Sequence, residues 1–214
     1  MNGQVYLIII FLVIFVTVTV SAVVTYRNAK DEYKRKIKLD ISLEQMIESE
    51  KRIAQFFEKN NIHPGDSIQI VANALNVIDG GTQNDISGRA RLNEPNADGK
   101  MVVVFKSGLD PKERLFDFAH ECGHRINQDP TPATRPEGYN KAEVEQLADY
   151  VAAALLMPLD QVYNYLENNH YTTISNRKKV ILIRNLCKKY KVTEMIALRR
   201  VKEVYVIKQV QMNI

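Results

Sequence analysis

The 214 residues suffice for one compact domain with appendages, and a make-up of 45% hydrophobic and 25% charged residues excludes disordered and collagen-like classes. Two cysteines, Cys122 and Cys187, exclude a disulfide framework and point to a reducing compartment. The net charge of +4 hides an asymmetry: no charged side chain over residues 1–26, then +3 over 27–40, −8 over 41–175 and +9 over 176–214.

Residues 5–24 form an uncharged run dominated by Ile, Val, Leu and Phe. A helix of that length rises about 30 Å, the thickness of a bilayer core. The four residues before it, Met-Asn-Gly-Gln, carry no Lys or Arg, so the run fits a retained anchor over residues 1–26 better than a cleaved signal. Arg27, Lys30, Lys34, Arg35, Lys36 and Lys38 follow it directly. The positive-inside rule then puts the N-terminus outside a cell membrane crossed once, with the rest of the chain in the cytoplasm.

Apolar positions at roughly helical spacing (Ile37, Leu39, Leu43, Met46, Ile47, Ile53, Phe57) predict one continuous helix over 27–60, a juxtamembrane stalk. Asn61-Ile-His-Pro-Gly ends it, with His63 a plain loop residue. A short helix is expected over 67–75, and strands over 77–79, 87–92 and 101–106. The last, just before the next helix, is the expected edge strand for a bound peptide. Asp110, Pro111 and Glu113 supply N-cap, N1 and N3 of a helix that runs into His120-Glu-Cys-Gly-His124. A loop follows from Asp129. A second helix spans 141–156 and stops at Met157-Pro158. Helical stretches near 177–190 and 194–208, with Thr193 as N-cap, close the chain.

His120 and His124 stand at i and i+4 on one helix, so both imidazoles project from one face toward a single point. That arrangement suits a zinc ion, Zn2+, and Glu121 is placed to serve as the base toward an activated water. Glu145, on the second helix, offers a third ligand and leaves a fourth position open, the catalytic pattern. Asp149, one turn on, faces the same way and is suited to orient a ligand histidine. Glu143 competes with Glu145 but has no acid at i+4. For the donor that steadies a tetrahedral oxyanion, Tyr139, Arg135, His170 and Tyr171 remain equal candidates.

The stretches Phe116-Asp-Phe-Ala-His-Glu-Cys-Gly-His124 and Glu145-Gln-Leu-Ala-Asp-Tyr-Val-Ala-Ala-Ala-Leu-Leu-Met-Pro158 resemble the ImmA/IrrE family of gluzincin-type zinc metallopeptidases. The resemblance covers roughly residues 55–205. It implies an α+β fold with a zincin-like helical core and a small three-stranded sheet, here preceded by a single transmembrane helix and stalk. It also implies metal binding by His120, His124 and Glu145, with Glu121 as base. The substrate it implies is a helix-turn-helix DNA-binding repressor of a mobile element or stress response.

The resulting organisation is anchor 1–26, stalk 27–60, peptidase 61–175 and a basic helical pair 176–214 packed on the peptidase. Direct nucleic-acid binding is not expected; a membrane-bound DNA-binding regulator would need Arg199 and Arg200 to matter more than His120. The alternative from another class is a zinc-containing module that sequesters a regulator without hydrolysis.

Overall fold

The computed structural model describes residues 41–93, 95–130 and 137–212. The chain divides into two units, Met1–Lys38 and Leu39–Ile214, and the described residues all belong to the second. The expected membrane span and the beginning of the expected stalk lie outside the described residues. Among the described residues, no helix is long and apolar enough to cross a membrane.

The first helix, α1, covers Leu43–Asn60. The unbroken helix expected from residue 27 is corrected here, because Ser42 adopts an extended backbone and caps α1. Its hydroxyl accepts from the Gln45 N–H at 3.2 Å while Gln45 Oε1 accepts from the Ser42 N–H at 2.7 Å. That reciprocal box satisfies two of the N–H groups at the helix start and fixes it there. The helix ends on Asn61 in the left-handed region (φ 53°). Met46, Ser49, Ile53 and Phe57 are buried, so from Leu43 on the expected stalk contributes a core helix.

After α2 (Ile68–Ala74) come β1 (Val77–Gln83), β2 (Ala90–Leu92) and β3 (Met101–Lys106). The sheet order is β1-β3-β2, with β1 parallel and β2 antiparallel to β3. The 101–106 strand is therefore central, not the expected edge. Its sequence accounts for this: Met101, Val103 and Phe105 are buried while Val102 and Val104 are half-buried, so both faces are partly covered. The exposed flank beside it is β2. β1 runs four residues past the expected strand, through a register shift at Gly80-Gly81. A Cβ on Gly80 would sit 2.3 Å from Val102 Cγ1, so the strands approach there only because that residue is glycine.

The helices α3 (Pro111–Asn127) and α4 (Lys141–Leu156) pack against each other and against α1, and α3 also packs against β2 and β3. Asp110 caps α3 by accepting from Lys112 N–H at 2.9 Å, with Pro111 at the first position. Three more helices follow: α5 (Leu159–Asn168), α6 (Asn176–Lys189) and α7 (Glu194–Met212). The first was not expected from sequence. The main core joins α1, the sheet, α3 and α4 around Met46, Val103, Phe105, Phe118 and Val151. A second core, with Met157, Leu166, Ile183, Leu186, Val201 and Val204, lies under α5, α6 and α7. The architecture is α+β, mostly helical, with one small mixed sheet.

Candidate metal centre

The seam between α3 and α4 positions the site. A Cβ on Gly123 would lie 2.8 Å from the Ala148 carbonyl oxygen, and Ala148, Ala152 and Ala153 are buried. The missing side chain at 123 and the small ones opposite let the two backbones approach closely. Residues one turn either side of that contact then face each other across the seam: His120 and His124 from α3, Glu145 and Asp149 from α4.

His120 Nε2 lies 3.0 Å from His124 Nε2 and 3.3 Å from Glu145 Oε2, which is 3.8 Å from His124 Nε2. One ligand-type atom from each of the three residues falls within 4.8 Å of the others. The far nitrogens are fixed by carboxylates: His120 Nδ1 is 2.8 Å from Asp149 Oδ1, and His124 Nδ1 is 2.8 Å from Asp129 Oδ2. An ionised carboxylate only accepts, so each Nδ1 carries a hydrogen and each Nε2 is left to face the centre. Two imidazole nitrogens and a carboxylate at these distances need a cation among them: a proton on His120 Nε2 shared with Glu145, or a metal that replaces it. The donor set of two imidazoles and one carboxylate therefore fits a divalent metal, zinc in particular.

The charges at the site follow from the same packing. Burial lowers the His120 pKa, but hydrogen bonds to Asp149 and Glu145 and the charges of Asp149 and Glu121 outweigh it and raise it to about 10. Glu145 is held below its ordinary value, chiefly by the His120 hydrogen bond. Glu121 goes the other way: burial raises it, against the lowering pull of both histidines. Burial, with Glu121 nearby, pushes the Cys122 thiol up to about 12, and its side chain is wholly buried. Cys122 is a packing residue inside the motif, and both cysteines are free.

A cleft of about 510 Å³ opens over the centre. One wall is β2 with its flanks, including Gly88, Arg91 and Asn93; the other carries His120, Glu121, His124 and Glu145. Arg89, just before β2, bonds Asp117 of α3 through Nε at 3.1 Å and fastens that wall. Tyr139 also lines the cleft, whereas His170 and Tyr171 do not. His170 sits in the turn after α5 (φ 52°), and Tyr171 stacks on Tyr205 at 5.8 Å in the second core. Arg135 lies outside the described residues. Glu143 is drawn away from the centre: its Oε1 accepts from Gln45 Nε2 of α1 at 2.5 Å. His63 is an exposed loop residue whose N–H bonds Asp66.

Family comparison decides what kind of helix pair this is. The M78 peptidase family model, described as an IrrE N-terminal-like domain, matches residues 68–202. The chain belongs to that family. The match takes in the whole M78 seam, both histidines, Glu121, Glu145 and Asp149. A solved structure described as a Mycobacterium tuberculosis transcriptional regulator is similar at 18% identity and a TM-score of 0.47. It aligns over 78% of this chain and 48% of its own, so the chain spans about half that protein's length. No curated protein matches.

Two residues that sequence reading did not assign now stand beside the M78 centre. Asp129 begins the loop expected from sequence, but it follows the left-handed Gln128 that ends α3, and its N–H returns to the His124 carbonyl at 3.0 Å. That tight return brings its carboxylate under His124; the available signal was an acid five residues past the second histidine. Arg199 of α7 places Nη1 3.6 Å from Asp149 Oδ2, so the basic C-terminal end reaches the second layer of the centre.

Proposed function

We propose that the chain is a zinc-dependent peptidase in which His120, His124 and Glu145 hold the metal and Glu121 is the base. The carrying observation is the convergence of two His Nε2 atoms and a Glu145 oxygen, with both Nδ1 atoms tied to carboxylates. Zinc held there supplies the Lewis acidity that makes water nucleophilic near neutral pH. Glu121, its pKa raised by burial, takes the proton from the attacking water and returns it to the departing amide nitrogen. Among the described residues β2 is an edge strand, with no strand on its outer side, and it lies along the cleft, which suits an extended peptide backbone. Tyr139 is the described oxyanion candidate that lines this cleft.

Kinship with the M78 family supports a regulatory protein as substrate, in our reading a DNA-binding repressor. The apolar run at 5–24 and the six basic residues after it support a single membrane anchor with the catalytic domain on the cytoplasmic side. Glu121→Gln is expected to retain zinc at wild-type stoichiometry while cleavage of the regulator falls about 10²–10⁴-fold. Undiminished biological function in that variant would instead assign the domain to sequestration without hydrolysis. A C-terminal GFP fusion is expected to fluoresce at the membrane; a dark fusion would reverse the assigned topology.

A further inference from the structure

The positive charge at the end of the chain is divided between two helices, and one of them turns its cations outward. From Asn176 through Thr193 there are Arg177, Lys178, Lys179, Arg184, Lys188, Lys189 and Lys191, and no acid. Among the described residues none of these cations is in an ion pair, although Lys179 and Lys189 lie over the rings of Tyr171 and Tyr190. Elsewhere Arg52, Arg89, Arg114, Arg199, Arg200 and Lys208 all meet carboxylates. Unpaired cations occur on other elements too, but α6 and the turn after it gather seven in 18 residues with no acid among them.

The centre of that outward face is apolar. α6 packs inward through Ile183, Leu186 and Cys187. At 100° per residue the opposite side is centred on Ile181, which is 51% exposed, with Arg177, Lys178, Arg184 and Lys188 around it. Val180, beside it, is 41% exposed. Among the described residues, these are the two large exposed apolar side chains that adjoin in sequence.

We infer that the outer face of α6 rests on an anionic membrane surface, with Ile181 in the headgroup boundary and the surrounding cations on lipid phosphates. A ring of cations about a protruding aliphatic residue matches that interface, where charge draws the helix in and apolar area holds it. A nucleic-acid backbone would leave Ile181 facing phosphate and water. The inference deepens the anchored reading and rests on it for proximity. Lipid contact through α6 would fix how the peptidase sits on the membrane, and make that seating depend on lipid charge.

The test uses the full chain in nanodiscs of phosphatidylcholine, alone or with one-third phosphatidylglycerol, and reads acetylation of individual lysines by mass spectrometry. Lys178 and Lys188 are expected to lose reactivity about fivefold in the anionic discs and to recover it in 0.5 M salt. Lys51 and Lys59, exposed on α1, should stay unchanged. Ile181→Gln, at a position too exposed to endanger folding, should reduce the protection without changing Lys51. Equal reactivity of Lys178 and Lys188 in the two lipids overturns the inference. So does stronger protection by duplex DNA in neutral discs than by anionic lipid. If the chain washes out of neutral discs in alkaline carbonate, it is the anchor that fails. Binding of the same chain to anionic but not neutral vesicles then still supports the face, and binding to neither overturns it.

Discussion

The helices α6 and α7 carry charge of the same sign and use it in opposite ways. Among the described residues the α6 cations form no ion pair, and two of them lie over tyrosine rings. On α7 Arg199 and Arg200 turn inward, and Arg200 is fully buried. Arg200 Nε donates to the Met157 carbonyl at 2.9 Å and Nη2 to Glu50 Oε1 at 2.7 Å, an oxygen that Tyr150 OH also donates to at 2.7 Å. Its guanidinium lies over the Tyr150 ring, and Nη1 stands 3.6 Å from Glu203, which is itself wholly buried. One arginine thus joins α7 to α1, to α4 and to the residue that ends α4. A charge total of +9 over this end describes neither helix: burial decides whether a cation is a structural tie or a surface.

The contrast breaks hardest at Arg200. Arg200→Ala takes the cation from half-buried Glu50, leaves buried Glu203 with Arg199 alone, and is expected to lower unfolding free energy by about 3–5 kcal/mol. The urea midpoint measures this; a shift near zero would mean α7 is held by its apolar face alone. At Asp149 the same helix meets the metal centre. Asp149→Asn replaces the charged acceptor that fixes His120 with a neutral amide that can also turn its NH2 to the ring, and zinc affinity measured by chelator competition should fall about 10–100-fold. Arg199→Met, one contact further out, should cost less than Asp149→Asn in that assay. The smallest effect belongs to α6: Lys178→Gln and Arg184→Gln should each change stability by less than about 0.5 kcal/mol. A larger loss there would show that α6 is also tied by its charges.

Legibility from sequence followed the range of the interaction. The Asp110 cap, the paired imidazoles and the Glu145–Asp149 spacing are set within one or two helical turns, and the structure places those residues at one seam. The position of β3 between its neighbours is a long-range pairing that no window of residues around 101–106 contains. Its proximity to α3 suggested an edge, but β2 forms the wall of the cleft. Ser42-Leu-Glu-Gln45 does carry a local signal, a capping box, and it overrides the apolar spacing that runs across it from residue 37. The helix over Leu159–Asn168 had a signal too: Pro158 before it, Asp160 in its first turn, and Val162 and Leu166 buried at i and i+4. Ten residues following Met157-Pro158 are short enough for the proline to read as the start of a loop. The inward turn of Arg199 and Arg200 depends on Glu50, Asp149 and Glu203, two of which lie far away in sequence.

Gly123 has a bearing on metal choice. Because Gly123 lets α3 come up against the Ala148 main chain, the reach from the two histidines to Glu145 is set by the distance between two helix axes as well as by side-chain torsions. An ion that outran those torsions would have to push apart two helices of the main core. The space offered to a metal is in this way partly stored in the packing, at a residue outside the candidate ligand set.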